Sequence, residues 1–167
     1  MRHSLYQRNK CNAAVGVQFN ESILSRLPGV ERNSLGIHHD TGLLHSDSSE
    51  GTPFFQYGPG DTLTVAINFV TDSILLFKNG LSRGAALVGL PGGGLMYPAV
   101  GFDHAEACIS INFGHTPFRC DASNPMRYFG VWRGPVACKF VIRAAGRKRH
   151  CALTMLFEFY CKACLNK

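Results

Sequence analysis

Residues 61–80, DTLTVAINFVTDSILLFKNG, constrain this chain more than any other stretch. Leu63, Val65, Ile67 and Phe69 alternate with Thr62, Thr64, Ala66 and Asn68, and a period of two belongs to a strand with one face in a core. Residues 74–77 form a second short apolar run, and Asn79-Gly80 follows it. That pair predicts a tight hairpin, because both central residues of a type I′ turn need positive φ. The order is strand, turn, strand, turn, strand, with no helical pattern long enough to act as a parallel crossover. The expectation is an antiparallel all-β domain.

The rest of the chain agrees with that class as far as residue 118. Residues 13–19 (AAVGVQF) read as a strand, and residues 34–38 and 42–46 as a second hairpin about Asp40-Thr41-Gly42. Residues 47–61 are turn-rich yet hold Phe54, Phe55 and Tyr57. Aromatics in such a loop either plug the core or wait for a ligand. Residues 95–102 and 106–113 supply the last strands, with Ile109, Ile111 and Phe113 on one face. Six or more short strands punctuated by Gly and Pro describe a sandwich or a barrel.

Composition divides the chain. Residues 1–118 hold 7 Lys+Arg and 9 Asp+Glu, whereas residues 119–167 hold 10 and 2, together the net +6. The second stretch also carries Cys120, Cys138, Cys151, Cys161 and Cys164, five of the seven cysteines. A boundary is therefore expected at 118–121, giving an N-terminal segment (1–14), a sandwich (15–118) and a basic, Cys-rich tail (119–167). Leu153, Leu156, Phe157 and Tyr160 fall at helical spacing, so the tail is expected to be partly helical over 151–161 or disordered. The odd cysteine count lacks the spacing of a disulfide scaffold and reads as reduced thiols. No apolar run approaches the ~18 residues of a membrane helix, and the opening MRHSLYQRNK is polar. The expected location is the cytoplasm, with entry to the nucleus open to a chain carrying Arg147-Lys148-Arg149.

Chemistry-bearing motifs are sparse. His38-His39-Asp40 invites a metal or acid–base reading, but neighbouring strand residues point to opposite faces and do not share a site. Gly92-Gly93-Gly94 lacks the Lys-Ser/Thr of a phosphate-cradling loop. Cys161-Lys162-Ala163-Cys164 with His150-Cys151 is a weak zinc pattern, because one CxxC lacks a well-spaced second pair. The expectation is a chain with no catalytic residues, cofactor or metal.

Read in order, LSRLPG (24–29), Ser34-Leu35-Gly36, Asp40-Thr41-Gly42, Tyr57-Gly58-Pro59, Gly60-Asp61, FKNG (77–80), LMYPAVG (95–101) and INFG..PF (111–118) resemble the SPRY (B30.2-like) domain of the Ran-binding-protein-M type. The resemblance implies a twisted β-sandwich that binds peptide segments of partner proteins through loops at one end. In many members that sandwich scaffolds, or receives substrates for, a ubiquitin ligase. It also implies contact segments at residues 102–105 and near Ser34-Leu35-Gly36. With the loop aromatics, these make Leu35, His38, Phe54, Phe55, Tyr57, Asp103, His104 and Ala105 the expected partner-binding residues. Neither segment repeats the hydrophobic residues of peptide-gripping members, so the ligand's identity does not transfer. The sequence departs from the family in three further places. Residues 1–12 do not look like the aromatic-rich strand expected before residue 13, Val30 replaces a large aromatic after LPG, and the loop at 51–61 is short. Two other readings stay open: a lectin-type sandwich binding carbohydrate through Asn68 and Asn112, and nucleic-acid binding by the +8 tail, which predicts steep salt dependence.

Overall fold

The alternation over residues 62–68 becomes the centre of a five-stranded sheet. The computed structural model describes residues 12–20, 25–69, 71–91, 95–103, 108–113, 115–119 and 154–162. The described residues form ten strands and no helix: β1 (Ala13–Phe19), β2 (Ser34–His38), β3 (Leu43–Ser46), β4 (Thr52–Pro53), β5 (Thr62–Asn68), β6 (Ser73–Lys78), β7 (Leu81–Val88), β8 (Met96–Phe102), β9 (Cys108–Asn112) and β10 (Thr154–Lys162). They pair antiparallel in two sheets, ordered β4-β3-β2-β1-β8 and β7-β6-β5-β10-β9.

The core lies between the sheets. Val15, Val17 and Phe19 of β1 with Leu35 and Ile37 of β2 meet Leu63, Val65 and Ile67 of β5 and Ile74 and Leu76 of β6. Val17, Ile37, Val65, Ile67 and Ile74 have no exposed surface, and burying each such side chain contributes about 1.5–3 kcal/mol. The other face of β5 is also covered: Ala66 and Phe77 pack with Leu75 and Phe118. The Asn79-Gly80 hairpin forms as expected, with φ of 53° and 84° at its two central residues and Lys78 opposite Leu81.

The helical expectation for 151–161 is overturned. Thr154–Lys162 is a strand inserted between β5 and β9, with Phe157 opposite Val65 and Phe159 opposite both Leu63 and Ile111. A short apolar run satisfies both periods, and two strand edges awaiting a partner decide in favour of the extended form. The sandwich therefore draws a strand from beyond the expected boundary at 118–121. The question of a strand before residue 13 falls on residues 1–11, which lie outside the described residues.

The outer face of the first sheet is built for close approach. Gly36 and Gly101 form a floor on which Leu27-Pro28-Gly29 lies: a Cβ at Gly36 would fall on the Pro28 carbonyl, and one at Gly101 would come 2.7 Å from Pro28 Cδ. Ser34 fastens this cover, its Oγ accepting from Gly29 N at 2.8 Å and donating to Glu31 O at 2.6 Å. Ser48 N adds a bond to Gly29 O at 3.1 Å.

Two histidines lie under the same cover. His38 Nε2 donates to Pro28 O at 3.0 Å, and its ring stands 4.1 Å from that of His45, whose Nδ1 donates to Ser48 O at 3.2 Å. Burial lowers the His38 pKa below the ordinary 6.5; the neighbouring His45 acts in the same direction, and the bond to Pro28 and the charge of Asp40 oppose it. The unfolded chain then binds more protons than the folded one below about pH 6.5, so this contribution to stability is full above that pH and is lost as pH falls. The melting temperature is expected to drop between pH 7.5 and 5.5, and His38→Gln to flatten the drop. A variant with an unchanged slope would place the proton uptake elsewhere.

Candidate interaction surface

Chain direction gathers one set of connections at one end of the sandwich. β1 begins there, β2 ends and β3 begins there, β5 begins, β6 ends and β7 begins there, and β8 ends there. The end consequently carries Asn12, residues 39–42, 54–61 and 79–80, and Asp103.

These connections are tied to one another. Tyr57 Oη lies 3.1 Å from both Ala13 O and Ile37 O, which brings the 54–61 loop onto β1 and β2. His39 N donates to Ala13 O at 2.8 Å, and the His39 ring meets Tyr57 edge-on at 5.5 Å. Asp61 binds the next hairpin: its Oδ1 accepts from Asn79 Nδ2 at 2.7 Å, its Oδ2 accepts from Gly58 N at 2.8 Å, and Lys78 Nζ pairs with it at 3.0 Å. Burial alone would raise the Asp61 pKa, but the hydrogen bonds from Asn79, Lys78 and Gly58 and the charge of Lys78 outweigh it and hold the carboxyl below its ordinary value. Lys78 Nζ also donates to Gln56 O at 2.9 Å. At the far side of the end, Asp103 and Asn12 exchange two bonds, Asn12 N to Asp103 Oδ1 at 2.7 Å and Asp103 N to Asn12 O at 3.1 Å. Loops held in this way present a surface with little freedom left to lose on binding.

The expected partner-binding residues separate into three groups. Leu35, His38 and Tyr57 are corrected: they are 1%, 8% and 5% exposed. Leu35 points into the core because it shares the parity of Ile37, and it stands level with Val17 and Pro98, away from Asp103. His38 is covered by Pro28, and Tyr57 plugs the end of the core. Phe54 and Phe55 are half-buried, pack partly on the core and lie 5.3 Å apart, so each keeps surface for a ligand. Asp103 is exposed, next to Phe102, which is 40% exposed. His104 and Ala105 lie outside the described residues.

Phe102 falls in the contact segment expected at residues 102–105, although it was not singled out there, whereas sequence reasoning missed Arg83. The Arg83 guanidinium lies 5.8 Å over the Phe55 ring, a contact between separate strands and loops that no local pattern announces. The histidine and carbohydrate readings find no supporting geometry among the described residues, and the zinc pattern's His150, Cys151 and Cys164 lie outside them. His38 and His39 turn to different neighbours, and among the described residues no three His, Cys, Asp or Glu side chains converge as metal ligands. Asn68 is buried and accepts from Thr71 N at 3.1 Å, while Asn112 exchanges bonds with the backbone of Thr116. Both amides serve turns rather than a carbohydrate platform.

The SPRY domain family model matches residues 5–116. Ran-binding protein 9 of Xenopus tropicalis is 34% identical over 123 residues, covering 71% of this chain and 21% of that protein. The Ran-binding proteins 9/10 homolog of Drosophila melanogaster is 34% identical over 111 residues, or 64% of this chain and 11% of that protein. The Ran-binding protein M homolog of Arabidopsis thaliana is 28% identical over 113 residues, 67% of this chain and 24% of that protein. The chain thus spans no more than about a quarter of the length of these relatives. A crystal structure of a human SPRY domain aligns at 25% identity with a TM-score of 0.43, over 53% of this chain and 59% of that one. A family match over most of the chain, joined to two antiparallel sheets in which the motif residues make the turns and the glycine floor, places this chain in the SPRY domain family.

Proposed function

We propose that this sandwich is a non-catalytic module that docks a peptide segment of a partner protein through the Asp103 end. The observation that carries the reading is the tethering of that end by Tyr57, Asp61 and Asp103, which leaves Phe102, Asp103, Phe54 and Phe55 presented on fixed backbone. Relatives named for binding Ran add weight to a protein ligand. A scaffold or substrate-receiving place in a ubiquitin-ligase assembly is part of the same proposal and rests on the family alone.

The test is affinity capture from cell lysate with quantitative mass spectrometry, comparing the full chain with its Asp103→Arg variant. Asp103 is exposed and the variant loses one side-chain bond, from Asn12 N, while the backbone bond from Asp103 N to Asn12 O remains, so it is expected to melt within a few degrees of the parent. Partners captured by the parent and depleted about tenfold or more by the variant are the expected result, since a reversed charge at an interface costs roughly this much. Ligase subunits among them would carry the assembly reading, and their absence would remove it. Equal capture by both proteins would move the contact off this end.

A further inference from the structure

β7 is an edge strand that cannot accept another strand easily. Its register against β6 slips twice: Ile74 faces Leu87 but Leu75 faces Ala85, and Leu76 faces Gly84 but Phe77 faces Ser82. Ala86 and Arg83 are the extra residues left unpaired. Bulges bend an edge and re-aim side chains, which discourages strand addition. Gly84, with φ of 105°, sits at the second slip and has nothing within 4 Å of where a Cβ would be.

The second slip directs Arg83 toward the 54–61 loop, where its guanidinium lies over Phe55. The neighbouring cation, Lys78, is neutralised by Asp61. Arg83 has no carboxylate within ion-pair distance among the described residues, and it is exposed. Around it are half-buried Phe54 and Phe55, and Leu81, two positions earlier on β7, is 67% exposed. A cation held on an aromatic face beside apolar surface is complementary to a carboxylate flanked by an apolar side chain. Arg rather than Lys suits this, because a planar guanidinium stacks on the ring and still offers its N–H edge.

We propose that the Arg83–Phe55 corner reads an acidic residue of a partner peptide, with Phe54 and Leu81 receiving an apolar neighbour of that residue. This deepens the docking reading above and depends on it. The occupant is a peptide carboxylate, on the strength of the charge of Arg83, which no described carboxylate neutralises, beside a neutralised one at Lys78.

The probe is a phage-displayed library of random dodecapeptides, selected on the full chain and, in parallel, on full-chain Arg83→Glu, Arg83→Lys and Phe55→Ala. Enrichment of Asp or Glu next to Leu, Ile or Phe on the parent is expected. Synthetic peptides from that pool should bind Arg83→Glu at least about tenfold more weakly and Arg83→Lys by an intermediate amount, with the difference shrinking at high salt. Arg83 lies exposed on an edge, so an unchanged melting temperature serves as the folding control for its variants. Enriched peptides that bind parent and Arg83→Glu equally would overturn this corner and leave the docking function standing. A parent that enriches no peptide would overturn both.

Discussion

A chain ending at residue 120 is expected to lose cooperative folding. Such a boundary follows the change in charge and cysteine content, but it removes β10, which runs along the whole of β5 and along β9. Without it β5 acquires an open edge in the middle of the second sheet, and β9 has no neighbour in the sheet order. Ladder hydrogen bonds contribute about 1 kcal/mol each net, so losing both ladders is comparable to the roughly 5–15 kcal/mol by which a domain this size is stable. Exposed strand edges also invite pairing between chains. Size-exclusion chromatography and a thermal melt followed by far-ultraviolet circular dichroism should show aggregation and no sharp transition. Glu158→Pro in the full chain is the finer test, since residue 158 stands opposite both Thr64 and Asn112. Proline there removes a ladder donor with strands on both sides and is expected to cost about 3 kcal/mol or more. A truncated chain that melts like the parent would mean that the sandwich is complete without its tenth strand.

The same element shows where sequence reading succeeds and where it stops. β5 and β6 are legible because alternation, β-branched residues and a two-residue turn all require the same geometry. β10 is not, because TMLFEFYCK fits a helical period and an extended one, and its sequence neighbours are basic and polar. Its fate is decided by β5 and β9, far away in the chain. Leu35 was legible in principle: its parity with Ile37 marks it as core, and only the family resemblance drew it toward the surface. Tyr57 was ambiguous until its hydroxyl found the carbonyls of Ala13 and Ile37. Arg83 on Phe55 could not be read at all, since β7 has no clean alternation and the contact depends on a register slip.

Gly36→Ala is expected to cost about 3 kcal/mol, or roughly 10 °C in melting temperature. An added Cβ would stand 2.6 Å from the carbonyl carbon of Pro28 and 2.9 Å from its Cβ. These are atoms of a fixed backbone and a rigid ring rather than the far end of a flexible side chain, so relief requires the whole Leu27-Pro28-Gly29 segment to lift. That segment is held by Ser34 Oγ, Ser48 N and His38 Nε2, and lifting it breaks the buried bond from His38 to Pro28 O. Gly58→Ala is the control, because its nearest foreign atom is His39 Nε2 at 3.5 Å and ordinary contact should change stability by less than about 0.5 kcal/mol. The two effects are coupled in a measurable way. Once the cover is lifted, water reaches His38 and its pKa returns toward the ordinary value, so Gly36→Ala should also lose the acid-side fall in stability that the parent shows below about pH 6.5. A variant destabilised to the expected extent but keeping the parent's pH slope would show that the glycine floor and the histidine pair act independently, and that the close fit of the cover serves packing alone.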